Sequence, residues 1–399
     1  MITLSLPRGY RFSGVHCGLK SDPKILDLSL VVSERPATVA GVYTQNLIAG
    51  AAVLVDRPRT PGTGFKALVA NSRIANDCTG EQGYRDALEM TELAAHYAGA
   101  EPDKALVMST GVIGMMLPMD KVRAGIADAA KQLASDEESF MRAARGIMTT
   151  DTVEKVASRQ ITLNGGTTIT IAGFCKGAAM IAPNMRTMLA MIMTDAALEP
   201  ETAQKLLSEA VEESFNCISI DGHTSPSDTV LLYANGAGNA SPPVDDDLTQ
   251  FADVLKDLCI ELAVKMPSDG EGVSHLITLD VQGCATRDDA KTIARQVAED
   301  ILVKTAICGA DPNWGRVVSA IGNAGVPIDP MKISLQLNGF DLYNNGEPVP
   351  FDKLVVSDSI RKNRDTHILL TLQSGTASIR FWTTDLTTEY VRLNSDYTT

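Results

Sequence analysis

Helix-like and strand-like hydrophobic patterns alternate along this chain from end to end, and that alternation limits the fold to a mixed α/β or α+β architecture. Strand-like runs occur at Ala51–Val55, Ala67–Ala70, Ala105–Met108, Met188–Met193, Leu276–Val281, Ile333–Leu337 and His367–Leu372. Arg159–Leu163 and Thr167–Ile171 flank Asn164-Gly165-Gly166, residues that tolerate the positive φ of a tight turn, so a hairpin is expected there. Helical periodicity covers Gly83–Tyr97, Asp120–Leu133, Ser139–Met148, Glu201–Phe215, Asp246–Lys265 and Asp288–Lys304. Pro200-Glu201 and Ser135-Asp136-Glu137-Glu138 are sound helix starts. From about residue 330 the chain reads strand-rich. The step from an apolar run to a polar helix start at Asp195–Glu199 is a domain boundary without a linker, so closely packed units are expected.

At about 150 residues per domain, 399 residues imply two to three such units. Aromatics are 5% of the chain, so the core must be built from Ala, Val, Leu, Ile and Met. Acidic residues outnumber basic ones 49 to 35, giving a net charge of −14 that disfavours nucleic acid and anionic membrane surfaces as partners. The N-terminus lacks a basic stretch followed by an apolar one, and no apolar run reaches about 18 residues, so neither a signal peptide nor a membrane span is expected. Seven cysteines, an odd number without a CxxC pair, fit reduced thiols in a cytoplasmic protein.

Most catalytic schemes have no counterpart here. The chain has no GxSxG elbow, phosphate-binding Walker loop or HExxH, and its five histidines are never at metal-ligand spacing, so no metal is expected. What remains is a set of small-residue, Thr-rich segments: Asn71–Gly80, Ser109–Gly114, Met148–Thr152 and Lys176–Thr187. Glycine turns with hydroxyls make donor nests for oxyanions, and Ser109-Thr110-Gly111 directly follows a strand-like run. Taken singly, each segment is equally an ordinary turn, and Thr187 is equally a strand start.

Their order along the chain resembles the ArgJ-type ornithine acetyltransferase family (glutamate N-acetyltransferase, or bifunctional arginine biosynthesis protein). The likeness begins at Pro7–Tyr10, Gly18–Lys20 and Ala37–Asn46 and continues through Ser109–Gly114, Leu117–Met119, Ile147–Thr152 and Lys176–Thr187. It ends with Thr194–Ala196, Asp221-Gly222, Asp228-Thr229, Asp269–Gly272, Gly309–Arg316 and Asn394–Thr399. The resemblance implies two stacked β-sheets flanked by helices with a smaller strand-rich C-terminal region. It also implies self-cleavage between Arg186 and Thr187, leaving an α fragment of residues 1–186 and a β fragment of residues 187–399, assembled as two copies of each.

By the same resemblance Thr187 is the nucleophile, Thr110 and Gly111 form the oxyanion hole, and Thr150, Lys176, Thr187, Glu271, Asn394 and Thr399 contact substrate. The chemistry is coherent. A threonine hydroxyl needs a base, and cleavage creates one, because a free α-amine titrates at about 7.7–8. An acetyl group passes from N2-acetylornithine to Thr187 and then to glutamate. No dedicated cofactor is implied; acetyl-CoA is a second acetyl donor for some members of the family, and no segment here marks a site for it.

Several residues depart from the family pattern as it usually reads. Arg186 precedes the nucleophile where a small residue is usual. Arg73, Ile74 and Asp77 replace small or polar residues, as do Cys175, Ala178 and Ala179; Met115-Met116 and His223 are also unusual. These changes bear on substrate identity more than on reaction type. The alternatives are therefore a paralogous acyltransferase or amide hydrolase of the same fold in specialised, clavam-like metabolism, and a non-catalytic relative disabled at Arg186.

Overall fold

The structure, a computed structural model, describes residues 4–182 and 188–396. Eight strands make the larger sheet: β1 (Tyr10–Val15), β2 (Leu28–Tyr43), β3 (Gly62–Asn71), β4 (Ala105–Ser109), β5 (Lys155–Thr162), β6 (Thr168–Lys176), β7 (Leu189–Thr194) and β8 (Thr229–Ala234). Their order is β4-β3-β2-β8-β7-β6-β5, with β1 added to β2. The long strand β2 explains the shape. Its first half pairs with β1 and β3, and its second half, Thr38–Tyr43, pairs with β8. Between the halves lie Glu34, Arg35 and Pro36, and the register against β3 shifts between Val32 and Ala37. An irregularity of that kind bends a strand and increases its twist.

The bend folds the sheet back on itself. Phe12, Val31, Leu68, Leu106 and Met108 from the first half share a buried cluster with Phe174, Met191, Leu231 and Tyr233 from the second. The alternate residues face outward, as the two-residue period of a strand requires. Leu28, Leu30, Val69 and Val107 pack with α2 (Gly80–Ala98) and α3 (Met119–Lys131). Ile171, Ile192, Val230 and Leu232 pack with α5 (Pro200–Glu212) and α6 (Asp245–Ser268). The expected stacked layers flanked by helices are therefore two halves of one hydrogen-bonded sheet. The Tyr233 hydroxyl ties them together, donating from β8 to the Ala67 carbonyl of β3 at 2.9 Å.

The second sheet is built from β9 (Leu276–Cys284), β10 (Ser334–Leu337), β11 (Phe340–Asn344), β12 (Glu347–Pro348), β13 (Asp365–Thr371) and β14 (Ala377–Thr384), in the order β12-β11-β10-β13-β9-β14. It belongs to the same apolar cluster as α6, through Ile277, Leu279 and Val281. The expected hairpin forms, β5 and β6 pairing from Lys155–Cys175 to Thr162–Thr168.

Two expectations are corrected. Ala51–Val55 is not a strand but part of α1 (Ala51–Asp56). A short apolar run is ambiguous in period, and here the segment buries Ala51, Ala52, Val53 and Val55 while Asp56 takes the Val107 N–H of β4 at 3.0 Å. The single helix expected at Asp288–Lys304 is two, α7 (Arg287–Glu299) and α8 (Ile301–Cys308). Asp300 between them is extended, and its side chain caps Leu302 and Val303, so the second helix starts afresh there. Outside both sheets, α4 (Glu137–Ile147) adds Phe140 to the inner core. The remaining helices are α9 (Trp314–Gly322), α10 (Lys353–Arg361) and α11 (Thr388–Asp396).

Candidate active site

The site lies at the edge of the folded sheet where parallel strands β3 and β4 end, β6 ends, and β7 and β8 begin. Loops leaving those ends surround a cleft of about 480 Å³. Thr110, Gly111, Thr150, Lys176, Glu271 and Asn394 all line it, although they come from positions up to 284 residues apart. Arg186, Thr187 and Thr399 lie outside the described residues. Next along the chain from Thr187, the Met188 N–H donates to Asp228 Oδ1 at 2.5 Å, and Leu189 opens β7 directly opposite Lys176.

Thr110 and Gly111 leave the end of β4 in a turn pinned on both sides. Thr110 N–H bonds to the Asn71 carbonyl at 3.1 Å, Val112 N–H to the Arg73 carbonyl at 2.9 Å, and Ala75 N–H to the Val112 carbonyl at 2.9 Å. Gly111 has φ +133°, and a Cβ there would sit 2.1 Å from the Arg73 carbonyl carbon. Neither the Thr110 hydroxyl nor the Gly111 N–H has a hydrogen-bond partner among the described residues. Two adjacent unengaged donors on a rigid turn facing a cleft are suited to a developing oxyanion.

Lys176, at the end of β6, is buried, and its ammonium donates to the Thr149 hydroxyl at 3.4 Å. Burial lowers its pKa, while the negative charges of Asp151, Asp228 and Glu271 act to keep the proton on. Asp151 is itself buried. It accepts from Lys155 at 2.7 Å, from Gly177 N–H at 2.7 Å and from Thr149 N–H at 3.0 Å. Burial alone would raise its carboxyl, but Lys155, Lys176 and the Gly177 N–H outweigh it and hold the group ionised. Lys155 also meets Asp269 at 2.6 Å, which fixes the loop that carries Glu271. Glu271 donates its N–H to the Ala178 carbonyl at 2.9 Å and accepts from Asn394 Nδ2 at 2.9 Å, joining three site segments.

Several cleft residues were not singled out as site residues by sequence reasoning. Lys20 lines the cleft, its ammonium pushed down to about 8 by burial with help from Lys176 and Arg73, against Asp27 and Asp151. It donates to the carbonyls of Leu26 and Met148, both at 2.7 Å. Asp77 is pushed up to about 6 by burial, restrained by the Ser227 hydroxyl at 2.6 Å and by Lys176. Arg73 and His223, noted above as departures, both line the cleft, as do Asp221, Ser225, Ser227 and Tyr390. The signal for Lys20, Asp221 and Asp228 was present in the quoted motifs; for Tyr390 the sequence held none. Among the described residues no group of three or more His, Cys, Asp or Glu side chains could hold a metal ion.

The ArgJ family model matches residues 11–399. The chain belongs to the ArgJ family. An arginine biosynthesis bifunctional protein ArgJ from Rhodopirellula baltica is 44% identical over 397 residues, covering 99% of this chain and 96% of that protein. The Bacillus subtilis protein of the same name is 40% identical over 399 residues, covering 99% and 96%. The crystal structure of the Bacillus halodurans ArgJ protein matches with a TM-score of 0.51 at 33% identity, covering 52% of this chain and 98% of that one. Membership in the ArgJ family bears out the resemblance read from the ordered motifs, and the α/β fold with helix-flanked stacked layers is as that resemblance implied. No helix among the described residues is long and apolar enough to cross a membrane.

Proposed function

We propose that this ArgJ-family chain is an ornithine acetyltransferase of arginine biosynthesis, carrying an acetyl group from N2-acetylornithine to glutamate through an ester on Thr187. The observation that carries the reading is the convergence in one cleft of the unengaged Thr110–Gly111 donors, the Glu271–Asn394 pair and buried Lys176, whose strand partner Leu189 stands two residues after Thr187. Self-cleavage before Thr187 gives fragments 1–186 and 187–399, each half incomplete without the other, because the cleft takes residues from both.

In this mechanism the new α-amine of Thr187 removes the proton from its own hydroxyl as Oγ attacks the acetyl carbon. The Thr110 hydroxyl and Gly111 N–H hold the oxyanion, a contribution of roughly 3–4 kcal/mol per donor in well-studied cases. The C–N bond then breaks, and the departing ornithine nitrogen takes the proton from the Thr187 ammonium. The glutamate α-amine attacks the ester by the reverse path, so the kinetics are ping-pong. Lys176 pairs with the amino-acid α-carboxylate, Glu271 with an ammonium, and Thr150, Asn394 and Thr399 bound the pocket. We assign no cofactor, and acetyl-CoA is a second donor to be tested in the same assay.

Intact mass measurement tests the reading. Two fragments, the second starting at Thr187 and gaining one acetyl group on addition of N-acetylornithine, are expected. A single uncut chain without an adduct would refute both cleavage and transfer. Acetate release as fast as transfer would instead make the enzyme a hydrolase.

A further inference from the structure

We propose that Asp221 is a positioning residue of this site, coupling the segment that leads into the cleavage position to the helix that covers the cleft. The inference rests on the functional reading above for its cleavage and kinetic arms, and the hydrogen-exchange arm stands apart from it. Asp221 has a side chain only 7% exposed, and its carboxylate collects four donors from three parts of the chain. Oδ2 accepts from Met180 N–H at 2.6 Å and from the Tyr390 hydroxyl at 3.1 Å. Oδ1 accepts from Ile181 N–H at 3.1 Å and from His223 N–H at 3.2 Å. The Ile181 carbonyl answers by accepting from Ile220 N–H at 2.7 Å, so the two segments are clamped in both directions.

The clamp matters at both ends. Met180 has φ +55°, a conformation a non-glycine residue holds only when its surroundings require it, and it stands seven residues before Thr187. The other end is α11, which carries Asn394. None of the residues of α11 is buried, so no apolar face anchors it. Its attachment is polar: Tyr390 to Asp221, Asn394 to Glu271, and, just ahead of the helix, the Thr387 hydroxyl to the Gly272 carbonyl at 2.6 Å. A single-sided helix of nine residues is marginal alone and stays docked only while such contacts persist. One carboxylate therefore sets both the approach to the scissile bond and the cover over the substrate. Removing the Tyr390 hydroxyl frees the cover alone, whereas removing the acceptor capacity of Asp221 frees both.

The test uses the full chain with Tyr390→Phe and Asp221→Asn. It reads cleavage by intact mass, KM and kcat for N-acetylornithine, and hydrogen exchange in peptides spanning 388–396. Tyr390→Phe is expected to cleave like the wild type, exchange faster in 388–396, and raise KM about tenfold with a smaller change in kcat, the scale of one hydrogen bond to a charged group. Asp221→Asn is expected to show the same faster exchange and, in addition, cleavage slowed about tenfold or more. Equal effects of the two variants on cleavage, or unchanged exchange and KM in Tyr390→Phe, would overturn the proposal. Should Asp221→Asn yield insoluble chain, the Tyr390→Phe exchange and KM decide. A wild-type enzyme that transfers no acetyl group would sink the functional reading, while cleavage and exchange still judge the coupling.

Discussion

Replacing Gly111 by alanine tests the oxyanion assignment at its most rigid point. The new Cβ would lie 2.1 Å from the Arg73 carbonyl carbon, 2.2 Å from its oxygen and 2.6 Å from Ile74 N. Ordinary carbon contacts are about 3.5–4 Å, so the two loops must separate by roughly 1.5 Å. They resist, because Val112, Ala75 and Thr110 tie them with backbone hydrogen bonds. The positive φ adds about 1–2 kcal/mol of strain for any L side chain. A displacement of about 1 Å at reacting groups costs on the order of a hundredfold in rate, and loss of an oxyanion donor about 10²–10³. Gly111→Ala is therefore expected to lower kcat about 10²–10³-fold, with KM changed far less. Gly114→Ala is the control: its φ is +83°, but a Cβ there meets nothing within 4 Å, so it carries the strain without the clash. Burst kinetics with N-acetylornithine separate acetylation from turnover. Full cleavage with kcat within about threefold of wild type, or equal loss in both variants, would refute the assignment.

Three further outcomes follow from named contacts. Asp77 has its carboxyl raised from 3.8 to about 6, so the folded state holds this proton more tightly than the unfolded one, and the stability it contributes is lost as pH rises through about 6. Asp77→Asn should then exceed the wild type in denaturant stability at pH 8 by up to about 3 kcal/mol, the gap closing below about pH 4; a gap independent of pH would contradict this. Lys155→Met leaves Asp151 and Asp269 facing each other without their shared cation, a loss of about 3–5 kcal/mol that should appear as a depressed melting temperature and reduced soluble yield. Arg73 sits at φ +82°, a backbone conformation that glycine adopts without strain, so Arg73→Gly is expected to fold. The same change removes a cation from the cleft wall and should raise KM for glutamate more than for N-acetylornithine, measured in the separate half-reactions.

The helices and strands that form the site were legible where their period was long or their punctuation strong. The Asn164–Gly166 turn, the run ending at Met108 and the helix at Gly80–Ala98 show this. Strand β2 was not singled out, because polar Ser33-Glu34-Arg35-Pro36 interrupts its apolar alternation, whereas the chain runs through it as an irregular bend in one strand. Without that strand the architecture is not visible, since the bend makes two stacked layers out of one sheet. Within the site, the residues at strand ends were accessible to sequence reasoning: Thr110 follows β4 and Lys176 closes β6. Asp27 was not, and although Asp151 and Asp221 stand in the quoted motifs, what they hold was not. Which N–H groups an aspartate accepts from is decided by loops brought together in three dimensions, which a motif does not specify.

Those aspartates point to a common design. The cleft is made of loops beyond the strand ends, whose backbone donors have no ladder to join and must still be satisfied. Buried or nearly buried carboxylates take that place. Asp27 accepts from Cys17, Leu19 and Lys20; Asp151 from Thr149 and Gly177; Asp221 from Met180, Ile181 and His223; Asp228 from Met188. Each joins backbone N–H groups to a charged acceptor, a bond about twice as strong as a neutral one. The arrangement holds together a site drawn from both sides of the 186–187 bond, which chain connectivity alone would not do were that bond cut as proposed. It also sets a field in the cleft. Of these carboxylates, Asp151 and Asp228 favour the ammonium form of buried Lys176 and Asp151 that of Lys155, and those cations in turn keep Asp151 ionised, so scaffold and substrate-binding charge depend on one another.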